Sequence, residues 1–175
     1  MTEIVYTTDD PRITLRFATE DDVPLILDFI RQLAEFEKLS HEVVADEETL
    51  RASLFSERQV AEVVIAYRDD KAAGFALFFH NFSTFLGKPG IYLEDLFVVP
   101  SQRSHGIGGI LLSFLAKLAA DRGCGRLELS VLLWNEEAIR FYNRLGATAI
   151  NEWTVFRIAG KKLEKLAGTV FAPKE

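Results

Sequence analysis

Val98-Val99-Pro100-Ser101-Gln102-Arg103-Ser104-His105-Gly106-Ile107-Gly108-Gly109 is the stretch that joins a β-rich run to a long apolar helix. The run before it, residues 91–99, predicts a strand, and residues 106–122 carry apolar side chains at helical spacing. Backbone N–H groups at the start of such a helix can bind a phosphate, because the helix dipole favours negative charge and glycine permits close approach. Arg103 adds a positive charge beside the turn. We therefore expect an anion-binding turn between strand and helix.

Two widespread phosphate-binding patterns do not fit this turn. A P-loop requires Gly-Lys-Ser/Thr after its glycines, and the chain has no such triplet here. A dinucleotide pattern could start at Gly106 and Gly108, but its last glycine position is occupied by Leu111. What remains is Arg103-x-x-Gly106-x-Gly108, beside the plain alternative of a glycine-containing helix start that binds nothing.

The rest of the chain mixes strands and helices, which predicts an α/β (or α+β) domain around a central sheet. Residues 1–10 are expected to form a polar leader and residues 11–170 a single domain. The predicted strands cover residues 12–17, 60–67, 72–79, 91–99, 126–133 and 153–158, and the predicted helices begin at Thr19, Asp46, Gly106, Asn135 and Lys161.

Composition excludes several classes of function. The 175 residues suit one domain, and 20 Lys+Arg against 26 Asp+Glu give a net charge of −6, which disfavours nucleic acid and favours a cationic partner. Cys124 is the only cysteine, so an internal disulfide or a multi-cysteine zinc site is excluded. No signal peptide is evident, and no segment approaches the roughly 20 apolar residues of a membrane helix. We expect a cytoplasmic protein without a membrane or nucleic-acid partner.

A second motif lies downstream, between Trp134 and Ala147. Its sequence, Trp134-Asn135-Glu136-Glu137-Ala138-Ile139-Arg140-Phe141-Tyr142-Asn143-Arg144-Leu145-Gly146-Ala147, resembles the pattern Asn-x-x-Ala/Ser-x-x-Phe/Leu-Tyr-x-Lys/Arg-x-Gly. In this order, with one helix and one strand between them, the two motifs resemble those of the GNAT superfamily of N-acetyltransferases. The resemblance implies a central mixed, mostly antiparallel sheet flanked by helices. It also implies two splayed strands that hold acetyl-CoA, the co-substrate, and no metal.

Within that superfamily the chain resembles the diamine acetyltransferases over about residues 12–168. The segments that carry this resemblance are 30–39, 91–98 (with Tyr92-Leu93-Glu94-Asp95) and 134–147. It implies N-acetylation of a small-molecule primary amine by direct attack in a ternary complex, and a homodimer. Two departures matter: Ser83-Thr84 stands where the spermidine branch has an aspartate, and Phe36 replaces a tyrosine of that branch. Both favour a thialysine-like or lysine-like amino acid, or another small amine, over a polyamine.

The reaction requires a base and an acid. A free primary amine, with a pKa of about 10, is protonated at neutral pH and must lose a proton before it attacks the thioester. The resemblance assigns the base to Glu94, acting through a water molecule, and the general acid for the leaving thiolate to Tyr142. The alternatives are a solvated strand-end carboxylate for Glu94 and a core tyrosine for Tyr142.

The resemblance also implies two sets of binding residues. Those expected to contact acetyl-CoA are Leu96, Phe97, Val98, Arg103, Ser104, His105, Gly106, Ile107, Gly108, Gly109, Asn135 and Tyr142. Those expected to hold the amine are Glu35, Glu37, Asp95, Glu152 and Trp153. Solvated helix carboxylates and a core tryptophan remain the plain alternatives for the second set. A catalytic role for His105 is not favoured.

Two other functions remain open at this stage. One is N-acetylation of a protein or peptide, although no segment indicates a peptide groove. The other is a non-catalytic coenzyme A-binding regulator, which would need neither Glu94 nor Tyr142.

Overall fold

The structure, a computed structural model, describes residues 5–168. The chain divides into two units, the first ending at Ser130 and the second beginning at Val131. The first unit contains β1 (Val5–Thr7), β2 (Ile13–Phe17), α1 (Val23–Phe36), α2 (Glu47–Phe55), β3 (Glu62–Arg68), β4 (Lys71–Ser83), β5 (Lys88–Val98), α3 (Ile107–Asp121) and β6 (Leu127–Leu129). The second contains α4 (Glu136–Arg144) and α5 (Lys161–Ala167). Short 3-10 turns cover Glu20–Asp22, Ser40–Glu42 and Pro100–Gln102.

The sheet of the first unit has the strand order β1-β2-β3-β4-β5-β6. Each neighbouring pair from β1 to β5 is antiparallel, whereas β5 and β6 are parallel. A parallel pair needs a crossover connection, and α3 supplies it. The expected mixed, mostly antiparallel sheet flanked by helices is confirmed.

Both faces of the central strands are covered. Four consecutive β3 residues, 63–66, are buried, as expected of a strand packed on two sides. On one face, the rings of Phe29 from α1 and Phe75 from β4 stack with centroids 5.3 Å apart, beside Phe97. On the other, α3 contacts β3 to β6 and buries Leu111 and Leu115 completely. Sequestering these apolar side chains from water stabilises the unit.

A buried ion pair connects the start of α1 to the sheet. Arg16 donates from both terminal nitrogens to the two carboxylate oxygens of Asp22 at 2.7 Å, and to the Tyr67 hydroxyl. The Thr19 backbone N–H also donates to Asp22 at 2.7 Å. The helix predicted to begin at Thr19 begins at Val23 instead, because a 3-10 turn occupies Glu20–Asp22 and Asp22 is the N-cap of α1. Burial alone would raise the pKa of Asp22, but the hydrogen bonds from Arg16 and Thr19 outweigh it and lower that pKa.

Several elements differ from the sequence prediction. β1 lies inside the segment expected to be a polar leader, because residues 5–7 pair with β2. The hairpin between β3 and β4 is tighter than predicted, since Arg68 pairs with Lys71 and only Asp69 and Asp70 form the turn, with φ of 50° and 59°. Positive φ at both central residues is the geometry that suits the twist of a two-residue hairpin.

The largest difference is in the second unit. The strand predicted at residues 153–158 does not form in the described part of the chain, whereas the helix predicted from Lys161 does. A strand requires a partner for its backbone hydrogen bonds, and this unit has no other strand among residues 131–168. β6 is also shorter than the predicted 126–133. The expected domain boundaries at residues 1 and 170 lie outside the described residues.

None of the helices in the described range is long and apolar enough to cross a membrane.

Candidate active site

The pairing of the parallel strands β5 and β6 ends halfway along β5, because β6 ends at Leu129. Their pairing covers only residues 91–93 of β5 and ends at the pair Leu93 and Leu129. Within the first unit, the edge of β5 from Glu94 to Val98 therefore has no strand beside it. Unpaired N–H and C=O groups on such an edge can hydrogen-bond an extended amide-containing ligand as a strand would. This is the geometry expected for the pantetheine arm of acetyl-CoA.

A bulge lies next to the last β5–β6 pair. On the β4 side, Leu77 pairs with Asp95 and Phe78 pairs with Leu93, so Glu94 is an extra residue in β5. A bulge of this kind redirects the side chains around it. Glu94 is exposed, whereas Asp95 is half-buried and shares the α1 face of the sheet with Phe97.

Three carboxylates form an acidic cluster here, Glu37, Glu94 and Asp95. Glu37 caps the C-terminal end of α1, and burial raises its pKa. Burial, then the charges of Glu94 and Glu37, raise the pKa of Asp95 to about 6. None of the three forms an ion pair with the residues that the structure describes. The cluster can therefore accept an external cation, which would relieve both the burial and the mutual repulsion.

The turn after β5 has the backbone of an anion site. Ser104 and Gly106 have positive φ, 66° and 77°, and Gly106 precedes the first residue of α3. No side chain of the described residues caps this helix, and the space beside the Cα atoms of Gly106 and Gly109 is open. Left-handed residues at an uncapped helix start present backbone N–H groups to an anion. The residues present therefore fit a pyrophosphate.

Arg103 is held beside this turn by two contacts. Its Nε donates to the Val98 carbonyl at 3.2 Å, and its guanidinium lies 4.9 Å from the centre of the Phe36 ring. A cation over an aromatic face is attracted by the ring quadrupole. The same turn is thus in contact with both β5 and the end of α1.

In the second unit, α4 carries the other predicted residues. Asn135 caps this helix by accepting a hydrogen bond from the Ala138 N–H at 3.1 Å, as expected of an N-cap asparagine. Tyr142 lies on α4 with its ring 5.1 Å from that of Phe141. Burial raises the pKa of Tyr142 to about 12, so the phenol keeps its proton throughout the neutral range.

Comparison with known proteins assigns the fold and motifs to one family. Residues 27–147 match the acetyltransferase (GNAT) family. The chain belongs to the GNAT family. The thialysine N-epsilon-acetyltransferase of Mus musculus is 39% identical over 165 residues, covering 88% of this chain and 96% of its own length. An L-ornithine N5-acetyltransferase of Arabidopsis thaliana is 33% identical, with 87% of this chain and 86% of its own covered.

Solved structures give the same fold. A V. cholerae integron cassette protein superposes with a TM-score of 0.77 at 28% identity, covering 90% of this chain and 99% of that protein. An aminoglycoside acetyltransferase from a soil metagenome superposes with a TM-score of 0.73 at 21% identity, covering 88% of this chain and all of its own, and this likeness bears on the fold alone.

Membership in the GNAT family makes the protein an enzyme, an amine N-acetyltransferase that uses acetyl-CoA as co-substrate. The expectation that it acetylates a small-molecule amine is confirmed by the match to amine acetyltransferases over most of the chain.

The GNAT structure brings together only part of the expected amine site. Glu37 and Asp95 share the acidic cluster. Glu35 lies on the opposite side of α1, because residues two positions apart differ by about 200° around the helix axis. There Glu35 is exposed and lines a surface cavity of about 340 Å³ with Arg31, Ser40 and Val43. Glu152 and Trp153 are exposed in the second unit, Trp153 by 74%.

Two features of the site could not be predicted from the sequence. The bulge at Glu94 depends on a strand register that no local pattern encodes. The contact between Phe36 and Arg103 joins residues far apart in sequence. One sequence feature could have indicated this contact. Position 36 is aromatic both here and in the spermidine branch, where it is a tyrosine, and Arg103 packs on the face of the aromatic ring.

Proposed function

We propose that this GNAT enzyme transfers the acetyl group of acetyl-CoA to the side-chain amine of a lysine-like amino acid such as thialysine, lysine or ornithine. The observation that carries this proposal is Asp95, a half-buried carboxyl with negative neighbours and a pKa raised to about 6. Such a group is stabilised by a bound ammonium. Relatives named for thialysine and ornithine acetylation, at 39% and 33% identity, support the class of amine.

Acetyl-CoA supplies the activated thioester when it is bound. In this proposal the backbone groups of Leu96, Phe97 and Val98, on the open edge of β5, hold the pantetheine amides. The turn from Ser104 to Gly109, helped by Arg103, holds the pyrophosphate. The turn residues in this role are Ser104, His105, Gly106, Ile107, Gly108 and Gly109, and Asn135 and Tyr142 add contacts from α4.

Glu94 is the proposed base. Its exposed position at the bulge gives the carboxylate access to water, so it can take the ammonium proton through one bridging molecule. Deprotonation turns the ammonium into a nucleophile. Asp95 and Glu37 attract a second positive charge of the substrate and so orient it.

Tyr142 is the proposed acid. A phenol with a pKa of about 12 carries its proton at neutral pH and can give it to the departing sulfur. Roles for Glu35, Glu152 and Trp153 in holding the amine stay predictions from the resemblance.

The biological setting is proposed from composition and family. A net charge of −6 and a single cysteine support a cytoplasmic enzyme with no membrane or nucleic-acid partner. The diamine acetyltransferase resemblance supports one catalytic domain that works as a homodimer and needs no metal.

The substrate class is tested with a panel of thialysine, lysine, ornithine, spermidine, putrescine and a histone peptide, each with acetyl-CoA. We expect kcat/KM to be highest for an amino acid of the first three. A preference for spermidine would overturn the amino-acid assignment, and a preference for the peptide would identify a protein acetyltransferase. Coenzyme binding without transfer to any amine would identify a regulator.

The catalytic roles are tested by Tyr142→Phe and Glu94→Gln, with Tyr6→Phe and Glu48→Gln as controls. We expect each test variant to lower kcat about 10²-fold or more, because a positioned acid or base contributes that much. Glu94→Gln should also flatten the rise of kcat/KM with pH. A wild-type pH profile in Glu94→Gln would remove the base assignment, and an unchanged kcat in Tyr142→Phe would remove the acid.

A further inference from the structure

The turn between β5 and α3 contains a residue in an unfavourable conformation. Ser104 has φ of 66°, a region that L side chains rarely adopt. Unlike Gly106, it gains no freedom from a missing side chain. A serine stays in this conformation only where its surroundings hold the backbone there. The contacts around the turn show which side chains do so.

The side chain of His105 contacts two backbone carbonyls of the turn. Its Nδ1 lies 2.9 Å from the Arg103 carbonyl oxygen and 3.2 Å from that of Gln102. Both oxygens are acceptors, so Nδ1 must carry the hydrogen and donate. Because a peptide unit is planar and trans, fixing the Arg103 carbonyl toward His105 turns the Ser104 N–H the opposite way. The hydrogen bonds from His105 thus hold two carbonyl groups that would otherwise be free to point toward a bound anion and repel it.

Arg68 contacts the turn through the side chain of Gln102. From the end of β3, its Nη1 donates to the side-chain oxygen of Gln102 at 3.3 Å. The Arg68 side chain is 83% buried (17% exposed), and the nearest carboxylate oxygen, on Asp69, is 4.0 Å from Nε. The Gln102 N–H in turn donates to the Val99 carbonyl at 2.8 Å. Arg68 therefore fixes the position of Gln102, and through it one of the two carbonyls that His105 binds.

We propose that Arg68, Gln102 and His105 are positioning residues that hold the turn in its anion-binding conformation before coenzyme A arrives. We call these three side chains the turn brace. The inference rests on the proposed function, in which this turn binds the pyrophosphate. A turn already ordered loses less conformational entropy on binding, so these three side chains strengthen coenzyme affinity through the turn, whose backbone N–H groups, that of His105 included, face the pyrophosphate. It takes no part in the transfer itself.

The test compares His105→Ala, Arg68→Ala and Gln102→Ala with two exposed controls, His41→Ala and Arg51→Ala. Calorimetry gives the Kd of coenzyme A, and steady-state kinetics give both KM values and kcat. We expect each brace variant to raise the Kd and the KM of acetyl-CoA about fivefold, the effect of one hydrogen bond. In Arg68→Ala and Gln102→Ala, at positions outside the coenzyme-binding set, the amine KM, and kcat at saturating acetyl-CoA, should stay within about twofold of wild type, as in the controls.

Two further variants separate positioning from general structure. His105→Asn keeps an N–H donor near the Nδ1 position and should recover most of the lost affinity. The double variant Arg68→Ala/Gln102→Ala should bind coenzyme A no worse than either single variant, because Arg68 acts through Gln102.

Three results would overturn the brace. The first is coenzyme affinity in His105→Ala and Arg68→Ala equal to that of the controls. The second is a fall in kcat and a rise in the amine KM that accompany the loss of affinity and follow a lowered Tm, because that pattern marks general destabilisation. The third is wild-type protein that binds no coenzyme A. That result would overturn the proposed function together with the brace, whereas the first result would overturn the brace alone.

Discussion

The two ends of helix α1 treat a buried carboxylate in opposite ways. At the N-terminal end, Asp22 is desolvated but accepts hydrogen bonds from Arg16 and Thr19, and its pKa is lowered. At the C-terminal end, Asp95 is also desolvated, but its neighbours are Glu37 and Glu94, and its pKa is raised to about 6. The carboxylate at the first end has a cationic partner in Arg16, whereas those at the second end form no ion pair with the described residues.

The helix dipole sharpens this contrast. Its positive end favours the carboxylate of Asp22, whereas its negative end disfavours Glu37 and favours a cation. No basic residue occupies the last turn of α1. The arrangement at the C-terminal end opposes stability in the isolated protein, and it suits an ammonium ligand. Measuring how the free energy of unfolding changes when Asp22 or Asp95 is replaced can distinguish the two ends.

The largest effect is expected from Asp22→Ala. Removing this carboxylate takes a bidentate partner from the buried Arg16 guanidinium, which should lower the free energy of unfolding by about 3 kcal/mol at pH 7. Urea denaturation measures it, with Asp121→Ala, from an exposed pair with Lys117, as the control that should cost less than about 0.5 kcal/mol. Because the pKa of Asp22 is lowered by folding, its contribution is present above its unfolded pKa and is lost as the pH falls. A loss no greater than the control's would contradict the structural role.

A smaller effect of opposite sign is expected from Asp95→Asn. The folded pKa of about 6 lies above the ordinary 3.8, so ionising Asp95 above pH 6 destabilises the fold. The variant should therefore be more stable than wild type by up to about 3 kcal/mol at pH 8, and equal to it below about pH 4. Thermal or urea denaturation across that range measures the difference. Destabilisation at every pH would show that Asp95 is a structural residue like Asp22.

The smallest effect is expected from Glu37→Gln. It removes the lesser of the two negative neighbours of Asp95, so the pKa of Asp95 should fall but stay above its ordinary value, because burial remains the main cause. A carboxyl-detected NMR titration measures the change. Asp28→Asn, an exposed carboxylate on the same helix, should leave the pKa of Asp95 unchanged. Equal effects from the two variants would contradict a specific Glu37–Asp95 interaction.

What could be predicted from the sequence is what depends on neighbouring residues. Asp46 and Asn135 cap their helices as expected, because a cap needs only its own short side chain and the next turn, whereas Thr19 precedes a 3-10 turn and α1 begins only at Val23. The glycine turn before α3 was predicted for the same reason. The family and its chemistry followed from two local motifs.

What could not be predicted depends on residues distant in sequence. The hydrogen bond from Arg68 to Gln102 spans 34 positions, and the bulge at Glu94 is set by the register of two strands. The predicted strand at 153–158 does not form, because the local sequence does not show whether a partner strand exists. The position of Glu35 away from the acidic cluster follows from helical geometry once the buried face of α1 is known.

The carboxyl group of Asp95 offers the most direct test, by NMR titration without and with saturating lysine. We expect a pKa of about 6 in the free protein and a lower pKa with lysine bound, because the ammonium stabilises the ionised carboxylate. The affinity for lysine should rise correspondingly between pH 5 and 7. A free-protein pKa near the ordinary 3.8, or a pKa that lysine leaves unchanged, would contradict the assignment of this end of α1 to the amine substrate.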